Sequence, residues 1–342
     1  MLMEFEKYIE LHRDKVFKKL MEYIPDREPK EHYSWVRTYS LRKGKYARPI
    51  LIVLWCELYG GKASEAILPA ASMQISEDWV LMHDDWEDQN LLRRGQPALH
   101  VIAGDYFSVN AGDALHMINW KIVHDAAKAL GPKRGELFFD RFSDMLLVTA
   151  EGQYYDMSLT KRVKDIRHFT LEDYYQSIAA KTSYYTVYGP MQLGAIVAGQ
   201  GQRELDKIRE YGYPLGIAFQ MKDDILDCLA DEKKFGKTIG NDIMDGVKTA
   251  ILWHFVQNAK EADLKRVEKV YNKDRNKKTK EDVKMVTDMF KDYKSFDFAE
   301  KKMEEFGREA VGKFKENTAH IPESDAKDTA RNSIVYAFKR TK

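Results

Sequence analysis

Residues 298–314 read FAEKKMEEFGREAVGKF, and the spacing of their apolar side chains decides the fold class. Ala299, Met303, Phe306, Ala310 and Phe314 recur at three-and-four intervals, so on a helix they form one stripe. EDVKMVTDMFKDY, residues 281–293, does the same with Val283, Val286, Phe290 and Tyr293. Moving outward, most windows of the chain repeat that period, while alternating strand patterns closed by Asn-Gly or Asp-Gly turns are nearly absent. The punctuation is short: YGGK at 59–62, LGPKRG at 130–135 and AGQGQ at 198–202. Such connections suit antiparallel neighbouring helices. The polar, lysine-rich run YNKDRNKKTKED at 271–282 is followed by further apolar stripes. It reads as a surface loop inside one all-α domain spanning 1–342, with a Lys/Glu-rich helical C-terminal part from about residue 271.

Composition narrows the function. Charged residues make up 32% of the 342 residues, yet the net charge is only +1. There is no basic excess for nucleic acid and no acidic tail. Hydrophobic residues at 44% and aromatics at 12% suffice for a folded core. Cys56 and Cys228 both sit in apolar, helix-like contexts, which predicts small core residues and no disulfide. The amphipathic, charged beginning MLMEFEKYIELHRDKVFKKL lacks the apolar core of a secretory signal. The strongest apolar run, PILIVLW, is too short to span a bilayer. A soluble cytoplasmic protein is expected.

Against this mixed background, HDDWEDQNLLRRGQP at 83–97 concentrates acids beside a doubled arginine. On a helix Asp84 and Asp88 share a face, with Asp85 beside them. Carboxylates that close repel unless water solvates them or a cation sits between them. An acidic helix face is ordinarily just solvated. Here a second cluster matches the first: FQMKDDILD places Asp223, Asp224 and Asp227 among Ile217, Phe219, Ile225 and Leu226. Acids in so apolar a helix need partners. Oxygen donors without His or Cys favour Mg²⁺, which is held by one or two carboxylates plus substrate phosphates. Arg93 and Arg94 supply forks for phosphate oxygens. The expectation is two acidic clusters facing each other across a bundle and gripping metal.

In order along residues 43–249, the chain resembles the trans-isoprenyl diphosphate synthases, the family of farnesyl and geranylgeranyl diphosphate synthases. GKYARP (44–49) is similar to the family's glycine-lysine-x-x-arginine-proline segment, and DDWEDQNLLRRGQPALH to its first aspartate-rich motif. GDAL (112–115), EGQYYD (151–156), Lys181-Thr182, FQMKDDILD and FGKTIGND follow in the family's order. The resemblance implies an isoprenoid-synthase-type helical bundle around a deep central cavity, and a homodimer. It implies a prenyltransferase that condenses isopentenyl diphosphate head-to-tail with an allylic diphosphate, using Mg²⁺, three ions per active site when substrate is bound. Carried over by position, Asp84, Asp88 and Asp223 hold metal, with Asp85, Asp224 and Asp227 close by. Arg93, Lys181 and Lys237 hold the allylic diphosphate, and Gly44, Lys45, Arg48 and Arg94 form the isopentenyl diphosphate site. Thr182 and Gln220 line the cavity near the developing cation.

The chain departs from the family at the isopentenyl site. Glu77 stands where the family commonly has a histidine, and Gln74 where a glutamate is usual. A carboxylate facing a diphosphate is unfavourable unless it turns away or pairs with Lys45 or Arg48. Where the family has a lysine pair after the second motif, this chain reads Val247-Lys248. Product length in the family depends on bulk just before the first motif. Here those positions are Trp79 and Val80, with Ser76 and Met73 deeper. Trp79 as a plug predicts a farnesyl or geranylgeranyl product; Ser76 leaves room for a chain of 25 carbons or more. A class I terpene cyclase would carry an Asn-x-x-x-Ser-x-x-x-Glu second motif, which this chain replaces with aspartates. GKYARP and RRGQP fit chain elongation better than head-to-head coupling. A partner subunit of a heteromeric synthase would typically lack one acidic motif, and both are present.

Overall fold

The computed structural model describes residues 2–229 and 240–340. In chain order the helices are α1 (Leu2–Met21), α2 (Lys30–Leu41), α3 (Ala47–Leu58), α4 (Ala63–Glu87), α5 (Leu99–Ala103), α6 (Asp105–Leu130) and α7 (Pro132–Lys161). They continue as α8 (Leu171–Ile178), a π-helix (Ala179–Tyr188), α9 (Gly189–Val197) and α10 (Gln202–Leu229). After the undescribed stretch come α11 (Asn241–Asp245), α12 (Ala250–Asn258), α13 (Glu261–Tyr271), α14 (Lys280–Asp292), α15 (Ser295–Asn317) and α16 (Asp325–Lys339). The all-α expectation holds. None of these helices is long and apolar enough to cross a membrane.

The chain divides into two compact units. The first draws on residues 1–144, 189–208 and 318–333; the second draws on 145–188, 209–317 and 334–342. In the first, the middle of α3 is apolar all round. Its residues from Ile50 to Cys56 are all buried, as expected of a helix covered on every side. Pro49 is tolerated there because it lies in the first turn, where its missing N–H is not needed. α9 comes so close to α3 that a Cβ on Gly194 would stand 2.3 Å from the Ile52 carbonyl oxygen. α4, which ends in the first acidic motif, packs against α1, α3 and α6.

In the second unit, α8 opens with a capping box: Asp173 N–H donates to Thr170 Oγ1, and Thr170 N–H donates to Asp173 Oδ2. It runs straight into the ten-residue π-helix. On α15, Ala299, Met303, Ala310 and Phe314 are buried and Phe306 is half-buried, so the stripe that sets the fold class faces the core. Cys56 and Cys228 are buried free thiols, as the sequence predicts. The 271–282 run is mostly loop with one short turn at Arg275–Lys277. It is not wholly a surface feature: Lys278 is buried and donates to the Ile243 carbonyl (2.8 Å).

The described strands are two residues each, Leu92–Arg93 and Gln96–Pro97, paired antiparallel in one hairpin. Its two turn residues both have positive φ, Arg94 at 55° and Gly95 at 73°. That is the type I′ pattern, which matches strand twist but is uncomfortable for a non-glycine residue at the first position.

Candidate active site

The first acidic motif closes α4. Asp85 is fully buried and is held by three hydrogen-bond donors. Tyr39 Oη donates to its Oδ2 (2.6 Å), and Arg93 Nε lies 3.0 and 2.9 Å from the two oxygens. A second Arg93 nitrogen, Nη2, reaches Asp85 and also Asp84 (3.3 Å). Such a bidentate, charge-assisted grip is the strong kind. The Asp84 side chain keeps 20% exposure against 0% for Asp85. So the inner aspartate is structural support, while the outer one keeps an accessible oxygen. Asp88 is half-buried at the C-cap of α4, where the helix turns into the hairpin.

The hairpin owes its strained Arg94 to what that side chain does. Arg94 Nη1 donates to the Tyr39 carbonyl (2.6 Å) and Nη2 to Asp78 Oδ1 (3.0 Å). Asp78 is fully buried and also accepts from Ser40 Oγ (2.8 Å) and Gln74 Nε2 (3.1 Å). Burial pushes its carboxyl up to about 6, against the pull of Arg94. Gly44 is where the guanidinium passes: a Cβ there would stand 2.7 Å from Arg94 Nη2. This gives the glycine of GKYARP a physical reason. Glu77 pairs with Arg48 at 3.2 Å and lies 3.8 Å from Arg94. Pairing with Arg48 was one of the two arrangements under which a carboxylate is tolerable here. Lys45 is exposed.

The second acidic motif lies on α10 and repeats the division of labour. Asp224 is buried and accepts from Tyr174 Oη (2.7 Å) and Gln220 Nε2 (2.9 Å). Burial drives its pKa upward while those two bonds pull it down. Gln220 in turn accepts from Thr182 Oγ1 (2.9 Å), so Thr182, Gln220, Asp224 and Tyr174 form one chain of hydrogen bonds. Asp227 accepts from the Asp242 backbone N–H (2.9 Å) and so ties the start of α11 to α10. The Asp223 side chain is 36% exposed and takes a hydrogen bond from Arg340, whose guanidinium lies 4.0 Å from the centre of the Phe219 ring. Lys181, on the π-helix, donates to Asp156 of α7 (2.7 Å). Lys237 lies outside the described residues.

Asp84, Asp88 and Asp223 offer only carboxylate oxygens, the donor chemistry of a hard divalent cation such as Mg²⁺. Among the described residues no three acidic, histidine or cysteine side chains gather closely enough to hold a metal unaided. An ion bound to either motif would complete its shell from water or phosphate oxygens, as Mg²⁺ commonly does.

Of the tail-limiting candidates, Met73 and Ser76 are fully buried, while Trp79 and Val80 are half-buried. Tyr39, Asp78, Tyr174, Asp156 and Arg340 were not singled out from sequence. Each reaches its partner over at least 16 residues, so no local pattern announces it. A glimpse of Asp156 was available, since EGQYYD ends on it.

Residues 30–290 match the family described as polyprenyl synthetase. The chain belongs to that family of trans-prenyltransferases. It is 32% identical to the geranylgeranyl diphosphate synthase of Sulfolobus acidocaldarius, over 78% of this chain and 79% of that one. It is 30% identical to the geranylfarnesyl diphosphate synthase of Aeropyrum pernix, over 87% and 91%. The crystal structure of geranylgeranyl pyrophosphate synthetase from Pyrococcus horikoshii is similar throughout, with a TM-score of 0.86, 31% identity and 98% of both chains covered.

Proposed function

We propose that the chain condenses isopentenyl diphosphate head-to-tail with an allylic diphosphate, releasing inorganic diphosphate and an all-trans product of farnesyl or geranylgeranyl length. The observation that carries this reading is the shared design of the two acidic motifs. In each, the second aspartate is buried against a tyrosine hydroxyl, Tyr39 on Asp85 and Tyr174 on Asp224, and the first stays accessible. A merely solvated acidic face would need no such division.

The residues divide the work as follows. Asp84 and Asp88 of the first motif and Asp223 of the second would hold Mg²⁺, which would neutralise diphosphate charge. Arg93, Lys181 and Lys237 bind the allylic diphosphate; Lys45, Arg48 and Arg94, with Gly44, bind the isopentenyl one. The allylic carbon–oxygen bond breaks with its electron pair leaving on the diphosphate. The isopentenyl double bond then attacks the allylic cation, forming the new carbon–carbon bond. A proton leaves to the released diphosphate, and the double bond reforms. The Thr182–Gln220 pair presents oxygen dipoles beside the cation and is held in place by Asp224. No covalent enzyme intermediate is required; positioning and electrostatics supply the rate.

The reading extends to a cytoplasmic homodimer. Support for a second copy comes from an exposed apolar patch on α5 and the start of α6: Val101 (50%), Ile102 (53%), Tyr106 (91%) and Phe107 (55%). A product of 25 carbons or more is the alternative, favoured by the Aeropyrum pernix relative's name and by the small Ser76. One assay tests the whole reading: labelled isopentenyl diphosphate, an allylic primer and Mg²⁺, with products resolved by length. Changing Asp84 and Asp223 together to alanine is expected to lower turnover by about 10³-fold or more. Undiminished turnover in that variant would overturn the reading.

A further inference from the structure

Trp79 does not stand alone. Across from it on α6, the His116 ring lies with its centroid 4.5 Å from that of Trp79, tilted by 36°. His83, one helical turn after Trp79, approaches edge-on at 5.8 Å. His116 is itself buttressed: Trp120, four residues on along the same face of α6, donates its indole N–H to His116 Nε2 (2.8 Å). Trp120 rests on Phe139 at 5.6 Å and on the buried Phe142 at 6.3 Å. With Nε2 accepting that bond, the neutral imidazole carries its proton on Nδ1. Burial, and then the nearby His83, hold the His116 pKa below its ordinary value against the opposing pull of Asp113.

Trp120 also lines a surface groove of about 460 Å³, together with Tyr23, Met117, Lys121, His124 and Asp125. An unbroken run of ring contacts therefore leads from Trp79 through His116 to Trp120 and on to that groove. All of these residues belong to the first unit.

We propose that the growing prenyl tail is stopped by this three-ring column, and that His116 and Trp120 are specificity-determining residues alongside Trp79. The inference rests on the chain-elongation reading above. A lone indole could swing to another rotamer and let the tail past. Here Trp79 packs on an imidazole that is fixed by a hydrogen bond, and the donor of that bond is wedged on two phenylalanines. The stop is a braced wall, and shortening Trp79 alone leaves its second layer standing.

The test uses the full chain with isopentenyl diphosphate, Mg²⁺ and the five-carbon dimethylallyl diphosphate as primer, with products resolved by length. W79A is expected to lengthen the main product by one five-carbon unit. The double variant W79A/H116A is expected to extend it by at least two further units. W120F keeps the ring against Phe139 and Phe142 but loses the donor; it is expected to broaden the product distribution toward longer chains. The proposal is overturned if W79A alone gives the full lengthening and H116A adds nothing. Should H116A fail to fold, W120F decides: an unchanged product distribution overturns the proposal, and a broadened one supports it. Failure of the underlying reading is separately visible, because the wild-type chain would then incorporate no isopentenyl diphosphate at all.

Discussion

A Cβ built on Gly152 would stand 2.3 Å from the backbone nitrogen of Lys181. At that point α7 and the π-helix therefore meet backbone to backbone, and only glycine permits it. One turn further along α7, Asp156 accepts the Lys181 ammonium at 2.7 Å. The close approach sets where Lys181 and its neighbour Thr182 stand. The variant G152A must push the π-helix away, which overpacks the site at a cost of about 1–3 kcal/mol. Its turnover is expected to fall at least tenfold, with denaturant unfolding reporting the stability loss. Wild-type values for both would show that the contact is not needed.

Tyr39 and Tyr174 make a parallel pair of predictions. Each hydroxyl donates to a buried aspartate, Asp85 or Asp224. Changing either tyrosine to phenylalanine keeps the ring and removes a donor from a buried carboxyl group, at a cost of about 1–3 kcal/mol. Y39F carries a second consequence, because the Leu99 backbone N–H donates to that same hydroxyl (3.2 Å). Y39F is therefore expected to destabilise more than Y174F when the two are compared by urea unfolding. Equal stability to wild type in both would contradict the supporting role assigned to Asp85 and Asp224.

How much of this was legible beforehand follows from the range of each interaction. The helices could be read because their apolar period is local, as in 298–314, where the stripe that defines the pattern is the face that is buried. The hairpin at 92–97 was missed because type I′ turns are announced by Asn-Gly or Asp-Gly, and this one begins with Arg94. Arg94 accepts a positive φ because the Tyr39 carbonyl and Asp78 hold its far end. The π-helix, at ten residues, is too short for its wider i→i+5 repeat to stand apart from an α-helical one. Site acids could be found as clusters, but not which acid is buried, since that depends on tyrosines 46 and 50 residues away.

Glu77 offers a test of the isopentenyl site. Its carboxylate pairs with Arg48 (3.2 Å) and sits 3.8 Å from Arg94. In the proposed reading both arginines face a diphosphate, and the glutamate competes with it for their charge. E77Q keeps the shape and removes the competing charge. The KM for isopentenyl diphosphate is expected to fall several-fold with kcat little changed, the pattern of an effect on uniform binding. A raised KM would mean that Glu77 instead holds Arg48 in its working position.

The last prediction concerns Lys248 and Lys278, which are buried in the second unit (5% and 7% exposed). Their ammonium groups donate to the carbonyls of Gly246 (3.1 Å) and Ile243 (2.8 Å) at the C-terminal end of α11. Both lie over the Tyr271 ring, at 5.7 and 5.6 Å. A helix C-terminus and an aromatic face both favour a cation. Burial, with repulsion from Lys278 among the neighbouring charges, nonetheless lowers Lys248 to about 8, and burial beside Arg275 and other cations lowers Lys278 to about 8. Between that pH and the ordinary 10.5 the unfolded chain binds more protons than the folded one. Stability from these groups therefore rises as pH climbs through that window, and the full penalty applies below pH 8. The slope is at most about 1.4 kcal/mol per pH unit for each lysine. K248M removes one charge and relieves its neighbour, so the rise should shrink. Unfolding curves from pH 7 to 10 should show wild type gaining on K248M as pH increases, and parallel curves would refute the assignment.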